Sequence, residues 1–412
     1  MVNASAGLLG VLILARHGDR LEFFQDPLTY TPSETQLTPL GTVEEFQLGS
    51  FLRETYISAS SPSAIAKISF PVANLDQLLV RADAAGEGST ILRSMGALTS
   101  GLFPPTPEFN ITLANGTTVI GAEGGAQYIP IESVENTQDV SLNSFTNCPT
   151  FDQHTVDFYA SASFAQEASS AQPFLNALSP YLNGRSTNFT NMFNIFDFVN
   201  VQNIHNATFA SSLQPTFVEQ AYGFANFHEN GVFSDASPAG VGNVAIRTTL
   251  PSMFSSLNRI ANASDPLKLA LDGISYKPFI SYFNLTAASA DFNNNGVYEP
   301  LFGIVDYASA LVLEVNDASG RYSEPFLTFK FKNGTEDPAL HPVVLGRFGA
   351  NTTSVPLSTF TSALEFAAIN NTADWCAACN QHTVRPCASQ SASRRNSYDK
   401  WRRWVTRRPA FH

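Results

Sequence analysis

Residues 8–15 read LLGVLILA, an unbroken apolar run that stops at Arg16-His17-Gly18-Asp19-Arg20. A run with β-branched residues and no polar alternation fits a strand buried on both faces, as in a parallel sheet covered by helices. It is too short to span a membrane. No basic segment precedes it and no cleavage site follows, so it reads as the first core strand with no leader before it. Helical spacing follows in VEEFQLGSFLRETYI (43–57), a second buried strand in DQLLVRADA (76–84), and a helix in STILRSMGALTSGLF (89–103) stopped by Pro104-Pro105. This alternation predicts an α/β, three-layer sandwich with a mainly parallel central sheet.

Beyond residue 125 the pattern changes to polar loops and aromatic-rich helical stretches such as PFLNALSPYLNG and FNIFDFVNVQNI. We read 126–245 as a mostly helical inserted subdomain, which leaves 1–125 and 246–388 as a discontinuous core. Strands return at PLKLALDG (266–273), ASALVLEVND (308–317) and PFLTFKFKNG (325–334). The stretch 389–412 is expected to be a disordered basic tail, since its last twenty residues carry seven Lys or Arg against one Asp.

A net charge of −12 argues against a nucleic-acid partner. Ten Asn-x-Ser/Thr sequons, at Asn3, Asn110, Asn115, Asn188, Asn206, Asn262, Asn284, Asn333, Asn351 and Asn370, predict N-linked glycans on a secreted or cell-surface protein. Cys148, Cys376, Cys379 and Cys387 allow two disulfides in any of three pairings. With no second close pair beside Cys376-x-x-Cys379, bridging is favoured over a metal site, and no metal or cofactor is expected.

The polar motif sits where open α/β sheets bind ligands, just past the carboxyl end of a strand. A histidine there can attack phosphorus. Arg16 and Arg20 can fork onto phosphoryl oxygens, and Gly18 would let the chain turn tightly beside the anion. The stretch ARHGDR, followed by QLTPLGTVEEFQLGSFLRETY, resembles the opening of the histidine acid phosphatases. Its likeness lies in Arg16-His17-Gly18-x-Arg20, in Leu37-Thr38-x-x-Gly41 and in Gly49-x-x-Leu52-Arg53-x-x-Tyr56. LLVRADA and GLFPP extend it, YASALVLEV and VPLSTFTSAL more faintly. The resemblance implies a phosphoglycerate mutase-like fold, transient phosphorylation of His17, and a phosphate clamped by Arg16 and Arg20. It also implies a third arginine at the end of the next strand, carried here by Arg81.

Two departures stand out. Leu21-Glu22 occupy the place of a usual proline, and the family's late His-Asp is absent. After LKLALDG the chain instead offers Ser275, Tyr276 and Lys277. Lys277 can replace the missing cation as a point charge. Glu87, in the glycine-flanked loop AAGEGST, is our candidate proton donor, its alternative role being to cap the helix that follows. Asp19 and Asp272 are weaker candidates. Two functional readings result: hydrolysis of phosphomonoesters, or a non-catalytic protein that keeps the arginine cradle to bind a phosphorylated ligand or a cell-surface partner. The acidic surface disfavours a highly anionic substrate.

Overall fold

The structure, a computed structural model, describes residues 7–388 except 24, 32–34, 86, 88, 319–322, 350–351 and 385–386. The basic tail and the sequons Asn3 and Asn351 lie outside the described residues.

The apolar run forms β1 (Leu8–Arg16), buried nearly throughout. It lies between β4 (Leu269–Ile274), parallel, and β5 (Ala310–Asn316), antiparallel. Beyond β4 come β2 (Leu78–Asp83) and β3 (Glu132–Val134), both parallel. Beyond β5 the sheet continues antiparallel through β6 (Phe326–Lys332) and β7 (His341–Leu345). The strands that carry the motif are therefore the parallel ones.

Alternate residues of β1 feed two separate cores, because successive side chains point to opposite faces. Val11, Ile13 and Ala15 pack with α1 (Pro39–Leu52) and α2 (Thr90–Leu102). Leu12 and Leu14 join the larger core on the other face. That core is shared with α3 (Pro149–Tyr159), α4 (Ala162–Leu178), α5 (Met192–His205) and α6 (Phe217–Val232). Together these make the three layers. Within 126–245 the described helices longer than one turn begin at Pro149, since Glu132–Val134 extends the sheet instead. Cys148 pairs with Cys379 and Cys376 with Cys387, which ties the start of α3 to the chain's C-terminal part. No described helix is long and apolar enough to cross a membrane.

Candidate active site

Past Arg16 the chain is still held as strand: the His17 amide donates to Ile274 O (3.3 Å) and its carbonyl accepts from Ala308 N (3.2 Å). Gly18 then lies directly on the first turn of α1. A Cβ at Gly18 would meet Gly41 O at 2.4 Å, and one at Gly41 would meet Asp19 O at 2.1 Å. The glycine of the motif is thus required by this close approach between backbones. Thr38 holds the same corner. Its Oγ1 accepts from Gly41 N (3.1 Å) to cap α1 and donates to the buried Asp19 carboxylate. The later motif residues are structural too, with Arg53 donating to Gly101 O (2.5 Å) and Tyr56 to Glu314 (2.9 Å).

His17 is completely buried. Its Nδ1 lies 2.8 Å from Gly18 O. A carbonyl can only accept, so Nδ1 carries a hydrogen, and Nε2 is the ring nitrogen turned inward. Glu87 Oε2 lies 2.8 Å from Nε2. The contact lacks hydrogen-bond alignment, and both Nε2 and Glu87 Oε1 are buried without a hydrogen-bond partner among the described residues. Glu87 also sits 3.2 Å from Arg20 Nε and 3.9 Å from Lys277 Nζ. A single carboxylate therefore occupies a position ringed by three potential cations, where an external anion would bind.

Burial dominates the electrostatics. It presses His17 below its ordinary pKa, partly opposed by Glu87. It would raise Glu87, but His17, Arg20 and Lys277 outweigh it and hold that carboxyl well below the usual range. Lys277 is lowered by burial, with Glu87 and Glu229 opposing. Its ammonium lies among four rings, 5.1 to 5.8 Å from the centroids of Phe145, Tyr276, Phe23 and Tyr30.

Arg16 faces an outer mouth of about 520 Å³, with Arg20, Asp197, Asp306 and Tyr307 also on its walls. Its guanidinium lies 4.4 Å from the Tyr307 centroid and 5.2 Å from that of Tyr276, and donates to Val305 O. A smaller cavity of about 200 Å³ is lined by Glu87, Lys277, Ser275 and Phe23. Ser275 Oγ is buried there without a partner. Phe23 lines both spaces, and His17 is itself buried.

The structure brings His17, Arg20, Glu87 and Lys277 together, with Arg16 at the adjoining mouth. Arg81 is not among them. Its guanidinium lies 3.3 Å from Glu132, 3.2 Å from Asp139 and 3.6 Å from Asp272, and donates to Ser141 Oγ at 2.7 Å. It lines a different cleft, with Thr248 and Asn371. The reason is register: Arg81 stands opposite Asp272 on β4 and Glu132 on β3, two residues short of the strand end. The residue at that end is Asp83, fully buried, whose carboxyl is pushed up to about 8 by burial. Asp272 pairs with Arg81 and is raised by burial to about 6, whereas Asp19 pairs with His205 at 2.8 Å.

Several functional neighbours escaped the sequence reading. Asp197 of α5 accepts from Arg20 Nη1 at 2.7 Å and from the Phe23 amide at 2.8 Å. Glu229 of α6 accepts from Tyr30 (2.8 Å) and Tyr276 (2.6 Å) and pairs with His228 (2.9 Å). Both acids lie in aromatic-rich helical stretches, where a charge is costly without a partner; that was the available signal. Among the described residues, no group of three or more His, Cys, Asp or Glu is arranged to hold a metal ion.

No family model and no curated protein matches the chain in sequence. Solved structures do match over nearly its whole length. A Hafnia alvei phytase in complex with tartrate aligns at TM-score 0.58 and 12% identity, over 91% of this chain and 99% of that one. A Klebsiella sp. ASR1 phytase aligns at 0.54 and 13%, over 89% and 96%. A Bifidobacterium longum multiple inositol polyphosphate phosphatase aligns at 0.50 and 11%, over 88% and 94%. The chain therefore has the fold of these phytases and of the inositol polyphosphate phosphatase, the histidine acid phosphatase fold that its opening motif resembles.

Proposed function

We propose that the protein hydrolyses phosphomonoesters through a phosphohistidine at His17. The observation that carries this reading is the Nδ1–H to Gly18 O bond, which turns Nε2 inward to within 2.8 Å of Glu87, the carboxylate that Arg20 and Lys277 also approach. A histidine kept only for packing gains nothing from a ring nitrogen turned towards a seat for an anion ringed by buried cations.

The incoming phosphoryl group displaces the Glu87 carboxylate from its seat, and its oxygens take over Arg20, Lys277 and, from the mouth, Arg16. Nε2 forms a bond to phosphorus as the ester P–O bond breaks. Glu87 then faces an anion, and the cations that held its pKa down are engaged by phosphate. Burial now acts unopposed and the carboxyl protonates, so it can deliver that proton to the leaving alkoxide. In the second step water attacks phosphorus, Glu87 takes the water's proton, and His17 is released with inorganic phosphate. Lys277 and the arginines hold charge in both steps.

Two disulfides and the sequons support a place outside the reducing cytosol. The complete burial of His17 favours the second reading, a binder that retains the arginine cradle. The decisive experiment is turnover of p-nitrophenyl phosphate and of an alkyl phosphate between pH 3 and 7 beside His17→Ala, with trapping of acid-labile phosphoprotein. Turnover and labelling lost together in the variant support hydrolysis. No turnover in either, with phosphate binding retained by both, supports the binder.

A further inference from the structure

The surroundings of the mouth bear on which esters it accepts, and the inference rests on the hydrolase reading above. Apart from Arg16 and Arg20, the charged residues on the mouth are acids, Asp197 and Asp306. The mouth opens beside a groove of about 1180 Å³, with which it shares Phe23, Asn194 and Asp197. The cation in that groove is Arg185, and it is already engaged. Its guanidinium lies 3.9 Å from Glu22 and 3.7 Å from the Phe198 centroid, and donates to Leu182 O at 3.3 Å. Among the described residues, the cation paired with Asp197 is Arg20.

We infer that the site takes phosphomonoesters whose organic half is uncharged and ring-bearing, and rejects substrates that carry several phosphates. One phosphate satisfies Arg16, Arg20 and Lys277. A second, projecting into the mouth or groove, would meet Glu22, Asp197 and Asp306 with no unpaired described cation on those walls to receive it. What those walls offer is ring face and amide. Phe23, Phe198 and Tyr276 present apolar or aromatic surface, and Asn191 and Asn200 present amides. Such walls suit a neutral ring with a few hydroxyls and cannot repay the desolvation of a polyanion. The phytase fold is thus combined here with a rim of the opposite charge preference to a polyphosphate's.

The test compares kcat/KM of the wild-type protein for p-nitrophenyl phosphate, a hexose monophosphate and myo-inositol hexakisphosphate at low and high salt. The two monophosphates should exceed the hexakisphosphate by at least about tenfold at low salt, and added salt should narrow the gap by screening the rim. Glu22→Lys should raise kcat/KM for the hexakisphosphate relative to the monophosphates by about tenfold at low salt. Hexakisphosphate used as well as the monophosphates, with all turnover lost in His17→Ala, overturns this inference and leaves the hydrolase reading standing. Absence of turnover on all three substrates overturns the hydrolase reading itself.

Discussion

Replacing Glu87 by glutamine removes one negative charge and almost no volume, so it isolates the electrostatic role of that side chain. With an effective dielectric constant of about 20, unit charges at the His17 distance of 2.8 Å attract by roughly 6 kcal/mol. At the Lys277 distance of 3.9 Å the figure is roughly 4 kcal/mol. These are gross attractions from which desolvation must be subtracted, and breaking a buried pair from one side costs a net ~3–5 kcal/mol. Arg20 keeps Asp197 at 2.7 Å, so the loss falls on His17 and Lys277.

The kinetic consequence follows from the proton. Without Glu87 the leaving oxygen departs unprotonated, which an alkoxide tolerates badly and p-nitrophenolate well. Turnover of an alkyl phosphate should fall by about 10²–10⁴-fold in Glu87→Gln, and that of p-nitrophenyl phosphate by less than about tenfold. The pH profile supplies an independent reading. Glu87 raises the His17 pKa against the downward pull of burial, so its removal lowers that pKa further. The free imidazole then persists to more acid pH, and the acid limb of kcat/KM for the aryl ester should move downwards. Equal losses on both esters, or an acid limb that moves up, would refute the assignment of Glu87 as proton donor.

Asp83 governs stability in the opposite sense to a salt-bridged acid. Its carboxyl is raised from 3.8 to about 8 by burial, so the native state binds the extra proton between those values. Stability from this group is fully present below pH 3.8 and is lost as pH climbs through about 8, by up to about 6 kcal/mol. Asp83→Asn should flatten that slope, read as a smaller difference in unfolding free energy between pH 4 and 8 than in wild type; an unchanged slope counts against it. Lys277→Met replaces a buried ammonium among rings by an apolar chain of similar length. Because it leaves Glu87 buried without that partner, it should lower stability by up to ~3–5 kcal/mol while raising KM for phosphomonoesters about tenfold, measured by calorimetry and steady-state kinetics. Opening Cys148–Cys379, which closes 231 residues, should cost about 5 kcal/mol against about 3 for Cys376–Cys387, which closes 11; denaturant unfolding of the two paired Ala variants checks the order. Of the described sequons, mass spectrometry of secreted material should find glycan at exposed Asn110, Asn115, Asn188, Asn206, Asn262, Asn284 and Asn370. Asn333 should remain bare, because its amide accepts from Asp306 N and Ser309 and donates to Asp306 Oδ2.

What could be read from the sequence was what local physics determines. LLGVLILA could only be a strand buried on both faces, and the residues following it had to stand at its carboxyl end. Glu87 and Lys277 could be nominated because each follows a buried strand and precedes a helix. Arg81 was misplaced by a distance of two residues, since sequence shows that a strand ends but not how far along it three carboxylates from other segments will capture a guanidinium. The antiparallel half of the sheet and the disulfide pairing were equally hidden, both being contacts between distant segments. Asp197 lies 177 residues from Arg20, and nothing local to either announces the pair.

That long-range pair belongs to a larger pattern, which ties α5 to the loop that follows β1. Asn194, Asp197 and His205 recur at helical spacing along α5 and make one polar stripe. Each binds the motif loop. Asn194 accepts from Gln25 N and donates to Gln25 O, Asp197 holds Arg20 and Phe23 N, and His205 holds Asp19. Gln202, beside the stripe, donates to Glu22. Among the described residues, the loop from Asp19 to Gln25 makes a bridge from Arg20 to Leu37, and α5 supplies further hydrogen bonds to it. The helix therefore does for the arginine what β1 does for the histidine. β1 fixes where His17 stands and α5 fixes where Arg20 stands, so the two are set by different rigid elements.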